Sequence, residues 1–99
     1  MVTSRARVDT DAAARYAKQL LSHIGRKAGV EPVEGEPNAG RLMLSAGTGI
    51  VRPRGDHLVL EALAADEASL ALVEDVLGRH LERFGARREL VVSWQPAQT

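Results

Sequence analysis

Cysteine is absent from the chain, which removes disulfide scaffolds, thiolate zinc sites, iron–sulfur clusters and cysteine nucleophiles together. Aromatic residues are scarce, at one Phe, one Tyr and one Trp, so the core has to be built from aliphatic side chains. Net charge is also missing. Thirteen basic and thirteen acidic residues cancel, leaving no long-range positive field to draw the protein to nucleic acid or anionic lipid. No run of eighteen apolar residues is available to cross a bilayer, and the N-terminal stretch lacks the apolar segment of a signal sequence. The expectation is a cytoplasmic protein that engages neither nucleic acid nor membrane.

What is present is an average globular composition, 44% hydrophobic and 26% charged over 99 residues, enough for one domain around one core. That domain spans residues 1–99, with a core from about 4 to 94 and a frayed tail at 95–99. "SRARV" at 4–8 alternates as a strand, with Ala6 and Val8 inward and Arg5 and Arg7 outward. "DTD" offers N-cap residues for a helix from near Thr10, whose apolar stripe is Ala13, Tyr16, Ala17, Leu20, Leu21 and Ile24 and whose end is marked by Gly25. Residues 30–34 read as an edge strand because of Pro32, 35–40 as loop, and 41–45 as a strand. "AGTG" turns the chain into a further edge-like strand broken at Pro53, and "GD" at 55–56 leads into the strand "HLVLEAL" at 57–63. Asp66 caps a second helix with Leu70, Val73, Leu77, Leu81 and Phe84 as its buried stripe, and "RRELVVSW" supplies the last strand.

The order β-α-β-β-β-β-α-β predicts an α+β two-layer sandwich, with two helices on one face of a mainly antiparallel sheet. Strand parity makes the helices antiparallel. A shift of 57 positions superposes the two helical units, Asp9 on Asp66, Leu20 on Leu77, His23 on His80, Ile24 on Leu81 and Arg26 on Arg83. Each helix thus ends in a His-x-x-Arg, and antiparallel packing places those endings at opposite ends of the helical layer.

The candidate ligand-binding residues are these endings: His23, Arg26 and Lys27 on the first helix, and His80 with Arg83 on the second. An imidazole beside two cations suits an anion; the plainer alternative is that cations at a helix C-terminus favour its dipole and bond its last carbonyls. No catalytic residues are assigned, because G-x-S-x-G, S-x-x-K and the phosphate-loop spacing are all missing. No metal site is expected either, since no H-E-x-x-H is present and the two histidines are placed far apart. Arg5, Arg7, Arg52 and Arg54 are expected on the sheet face away from the helices, as a solvated or dimer-forming surface.

At "RYAKQLLSHIGRK" and "RHLERFGARRELVVSW" the chain resembles a bacterial family, domain of unknown function 2218. The likeness runs from about Ser4 to Trp94 and is carried by Tyr16, Lys18, Gln19, Leu20, His23 and Lys27, by Gly40 and Arg41, and by His80, Leu81, Glu82, Arg83, Phe84 and Trp94. Many members carry a cysteine where this chain has Leu21. The resemblance implies no established activity. Some members are joined to siderophore-interacting, flavin-binding ferric reductases, which implies an accessory role in siderophore-iron handling. The expectation is therefore a non-enzymatic module without a cofactor, binding a second copy of itself or a protein such as a siderophore-iron reductase. The alternative is a binder of a small anionic chelate through the helix-end His, Arg and Lys residues.

Overall fold

The computed structural model describes residues 1–86 and 90–96. Its elements are β1 (Val2–Asp9), α1 (Ala13–Ile24), β2 (Gly29–Val33), β3 (Glu36–Met43), β4 (Thr48–Pro53), β5 (His57–Ala64), α2 (Glu67–Phe84) and β6 (Trp94–Pro96). They form one six-stranded sheet in the order β2-β3-β4-β5-β1-β6, antiparallel at every pairing. This is the expected α+β sandwich. Counting reversals along the sheet makes β2 parallel to β1 and β6 parallel to β5. α1 and α2, which make those two connections, therefore run in opposite senses.

The core lies between the helices and one sheet face. Ala6, Val8, Leu42, Val51, Leu58, Leu60, Ala62 and Ala64 project from the strands to meet Tyr16, Ala17, Leu20, Ile24, Leu70, Val73, Leu77 and Leu81. Alternation is strictest on β5, where every second residue is buried, as a strand with one face on the core requires. Two glycines set how closely the helices approach. A Cβ on Gly40 would lie 2.7 Å from a Leu21 methyl, and one on Gly49 would lie 3.0 Å from a Leu77 methyl. Leu21 and Leu77 thus occupy the space that strand side chains would otherwise take.

Several elements differ from their sequence reading. Residues 36–40, expected as loop, begin β3: Glu34 and Gly35 form a tight turn, Gly35 at φ 79°, and Val33 pairs directly with Glu36. Gly40 is a poor strand former, but its pairing with Pro32 and Val51 outweighs propensity, and Pro37 and Asn38 lie where the β2–β3 register shifts. β4 is an interior strand between β3 and β5, not an edge, because Pro53 is its last residue and removes no interior bond. β2 is the edge expected, with its irregularity at Pro32. α1 starts at Ala13; Thr10 Oγ1 accepts from the Ala12 amide, and the first turn carries no acid. Asp66 caps α2 as read, accepting from the Ser69 amide at 2.8 Å. The last strand is confined to Trp94–Pro96, paired with Ser4–Ala6, while Leu90 to Ser93 have no strand pairing and the Val92 amide donates to the Glu82 carboxylate of α2. The start of that expected strand, 87–89, and the end of the expected frayed tail, 97–99, lie outside the described residues.

The opposite sheet face bears the expected arginines. Arg52 Nε and Arg54 Nη1 grip the two oxygens of Glu36 at 3.1 and 3.0 Å, Arg52 also pairs with Glu61, and Glu61 meets Arg5 at 3.6 Å. Beside this network Val33, Ala39, Ile50 and the half-buried Leu63 form a small apolar cluster. Desolvation of Glu36 raises its pKa, but the two guanidinium groups outweigh it and hold the carboxyl below its ordinary value.

Two outcomes follow. A Cβ on Gly47 would stand 2.2 Å from the Leu63 carbonyl oxygen, so Gly47→Ala should cost about 1–3 kcal/mol in urea unfolding, as overpacking does. A depressed folded-state pKa gives stability that is complete above the unfolded-state value near 4.5 and is lost as pH falls through the folded value. Acid titrations of stability should therefore show Glu36→Gln below wild type near neutrality, with the gap closing only under pH 4.5.

Candidate functional site

His23 and His80 do not lie at opposite ends of the helical layer. Their ring centres are 5.1 Å apart. The antiparallel sense is correct and the stagger inferred from it is not. α1 has 12 residues and α2 has 18, about 18 and 27 Å of helix, and parity determines direction without determining which turns face each other. Leu21 on Gly40 and Leu77 on Gly49 decide that. His23, two residues beyond Leu21, consequently meets His80, three residues beyond Leu77. Phe84, one turn further, stands edge-on to His23 with centres 5.5 Å apart at 83°.

Below the two rings a cleft of about 600 Å³ opens between the C-terminal end of α1, the middle of α2 and the β3–β4 turn. His23, Arg26, Lys27 and His80 line it together, so four of the five candidate residues converge. Arg83 does not; it lies with Arg79 on the outer side of His80. The walls are Ile24, Ala28, Leu44, Ala46, Leu72, Val73 and Val76, with Met43 and Ser45. Periodicity identified Val73 as core but could not show that Leu72 and Val76 border a space. Of "SAGTG" at 45–49, read as a turn, Ser45 to Gly47 form one, closed by reciprocal Leu44 and Gly47 backbone bonds, while Thr48 and Gly49 already belong to β4; Ser45 and Ala46 of the turn form the cleft floor.

The electrostatics separate this cleft from the sheet face. Arg5, Arg7, Arg41, Arg52 and Arg54 each have a carboxylate partner. Arg26 and Lys27 have none among the described residues. Nor are their side chains needed to close α1, because the Gly25 amide donates to the Leu21 carbonyl and the Lys27 amide to that of Ile24. Asp75, the one acid lining the cleft, is held by Arg79 at 2.8 Å. Among the described residues, no three His, Asp or Glu side chains gather to surround a metal ion.

His80 is oriented by its own helix. Nδ1 lies 2.6 Å from the Val76 carbonyl oxygen, which can only accept, so Nδ1 carries the proton and Nε2 of the neutral ring keeps its lone pair. Nitrogen-15 NMR at neutral to alkaline pH should therefore find His80 in the Nδ1–H form; a dominant Nε2–H form would contradict this geometry.

The comparisons accord with the fold. The chain is similar over its full length, and over the full length of the other chain, to PA4090 from Pseudomonas aeruginosa, whose structure was determined by NMR, at 32% identity and a TM-score of 0.79. No curated protein matches it. A family described as an uncharacterized protein conserved in bacteria matches residues 5–95, which include the candidate residues of both helices. With nearly the whole chain matched, the protein belongs to this bacterial family, DUF2218.

Proposed function

We propose that the protein is a non-enzymatic binding domain that takes up a small organic anion in the cleft between α1, α2 and the β3–β4 turn. The reading rests on one observation: two cations without carboxylate partners among the described residues border an apolar-walled space whose volume falls within the range of about 300–1,000 Å³ usual for small-molecule sites. Arg26 and Lys27 are exposed at the edge of the cleft, where an anion can meet them while its apolar body lies against Leu44, Leu72 and Val76. An anionic iron chelate is one ligand of this chemical class, and siderophore handling is the setting that would supply it.

A second reading is favoured by Leu72 and Met43, which line the same cleft and are 59% and 43% exposed. A second copy of the chain, or a protein such as a siderophore-iron reductase, would insert an acidic side chain with apolar neighbours there. In both readings the cleft binds through the same charges.

NMR titration with 2,3-dihydroxybenzoate and with phenyl phosphate distinguishes aromatic carboxylates from phosphate monoesters. Binding should shift the amides of His23, Lys27, Leu44 to Ala46 and Leu72. Each lost charge-assisted hydrogen bond is worth about 1.5–3 kcal/mol, so Arg26→Gln with Lys27→Gln should weaken binding at least tenfold while far-ultraviolet circular dichroism is unchanged. Shifts confined to the sheet face, or affinity equal in the variant, would overturn the reading.

A further inference from the structure

We propose that His23 and His80 together form a two-histidine site for a divalent transition-metal ion of imidazole preference, such as Zn²⁺ or Cu²⁺. Three features of the pair carry it. The first is spacing. Two imidazoles bound through nitrogen to one tetrahedral ion, at about 2.0–2.1 Å per bond, keep their ring centres about 5 Å apart, and these centres are 5.1 Å apart with planes tilted by 51°.

The second is preparation of the donor. His80 gives its Nδ1 proton to the Val76 carbonyl, which holds the ring in one orientation and leaves Nε2 as the basic nitrogen. Metal-bound histidines are oriented in this way by a backbone carbonyl on the other nitrogen. The third is freedom of the partner ring. His23 is exposed and is contacted edge-on by Phe84, so it can adjust its side-chain angles toward the ion without opening the core.

The protein supplies two ligands and no more among the described residues, so two positions of a tetrahedral ion remain for water or for another donor. The site is open and of modest affinity. Arg26 and Lys27 line the same cleft and repel a bare dication, while the charge of Asp75 is offset by Arg79. Metal binding and anion binding therefore respond oppositely to removal of those cations.

The test is titration of the intact protein with Zn²⁺ alone, followed by calorimetry and by the histidine ring signals. One ion should bind, broadening or shifting the rings of both His23 and His80. His23→Ala and His80→Phe should each weaken it at least tenfold; the phenylalanine retains the ring packing against Phe84 and removes the nitrogen donors. Arg26→Gln with Lys27→Gln should bind Zn²⁺ as well as wild type or better, whereas the same variant is expected to lose organic anions. His57→Ala, which removes the histidine paired with Asp56, should change nothing. No binding at millimolar Zn²⁺, undiminished binding in His80→Phe, or loss in His57→Ala would overturn the proposal.

Discussion

The seating of two helix leucines over two strand glycines is the contact on which the rest of the molecule depends. Leu21 of α1 fills the space above Gly40, and Leu77 of α2 fills that above Gly49. In the β3–β4 register Gly40 faces Val51 while Leu42 faces Gly49, so the two seats lie two residues apart on adjoining strands. Each helix can come close to the sheet only where its leucine finds a missing side chain. That condition sets the height of both helices at once, and through it the meeting of His23 with His80 and the width of the cleft below them. Burial of the same leucines contributes to the hydrophobic driving force, which scales with apolar area removed from water.

Charge is distributed in two contrasting ways over this frame. On the outer sheet face arginines and glutamates neutralise one another across strands, an arrangement that suits a surface beside a small apolar cluster and leaves little net field. At the C-terminal end of α1 the cations stay without such partners among the described residues, even though backbone amides already serve the Leu21 and Ile24 carbonyls. A chain whose total charge is zero thereby keeps a local positive region at this cleft.

Local patterning made much of this legible from the sequence. The stripe of α1, the Asp66 cap, the alternation of β5 and the Pro-limited edge at β2 all depend on neighbouring residues, which a sequence displays directly. The start of β3 was hidden because Glu36 pairs with Val33 and Gly40 with Pro32 and Val51 across a shift in register, which overrides the weak strand preference of this stretch. The site was half legible. His23, Arg26, Lys27 and His80 stand out as two similar helix endings, but their convergence comes from a stagger decided by Gly40 and Gly49, more than twenty residues from at least one of the side chains concerned. A glycine in a strand pattern signals close approach of something, and here it was the one available clue to the offset.

The short turn from Leu44 to Gly47 has a consequence beyond closing a hairpin. It is the cleft floor and also the link between the two strands that carry the glycine seats. Whatever rests on the floor touches the same hairpin on which both helices stand. Occupancy of the cleft and closure of that hairpin are thus thermodynamically reciprocal: by whatever free energy a closed hairpin improves binding, a bound occupant resists the hairpin's opening by the same amount. A surface turn whose one polar side chain is the Ser45 hydroxyl becomes the place where binding and local stability are exchanged.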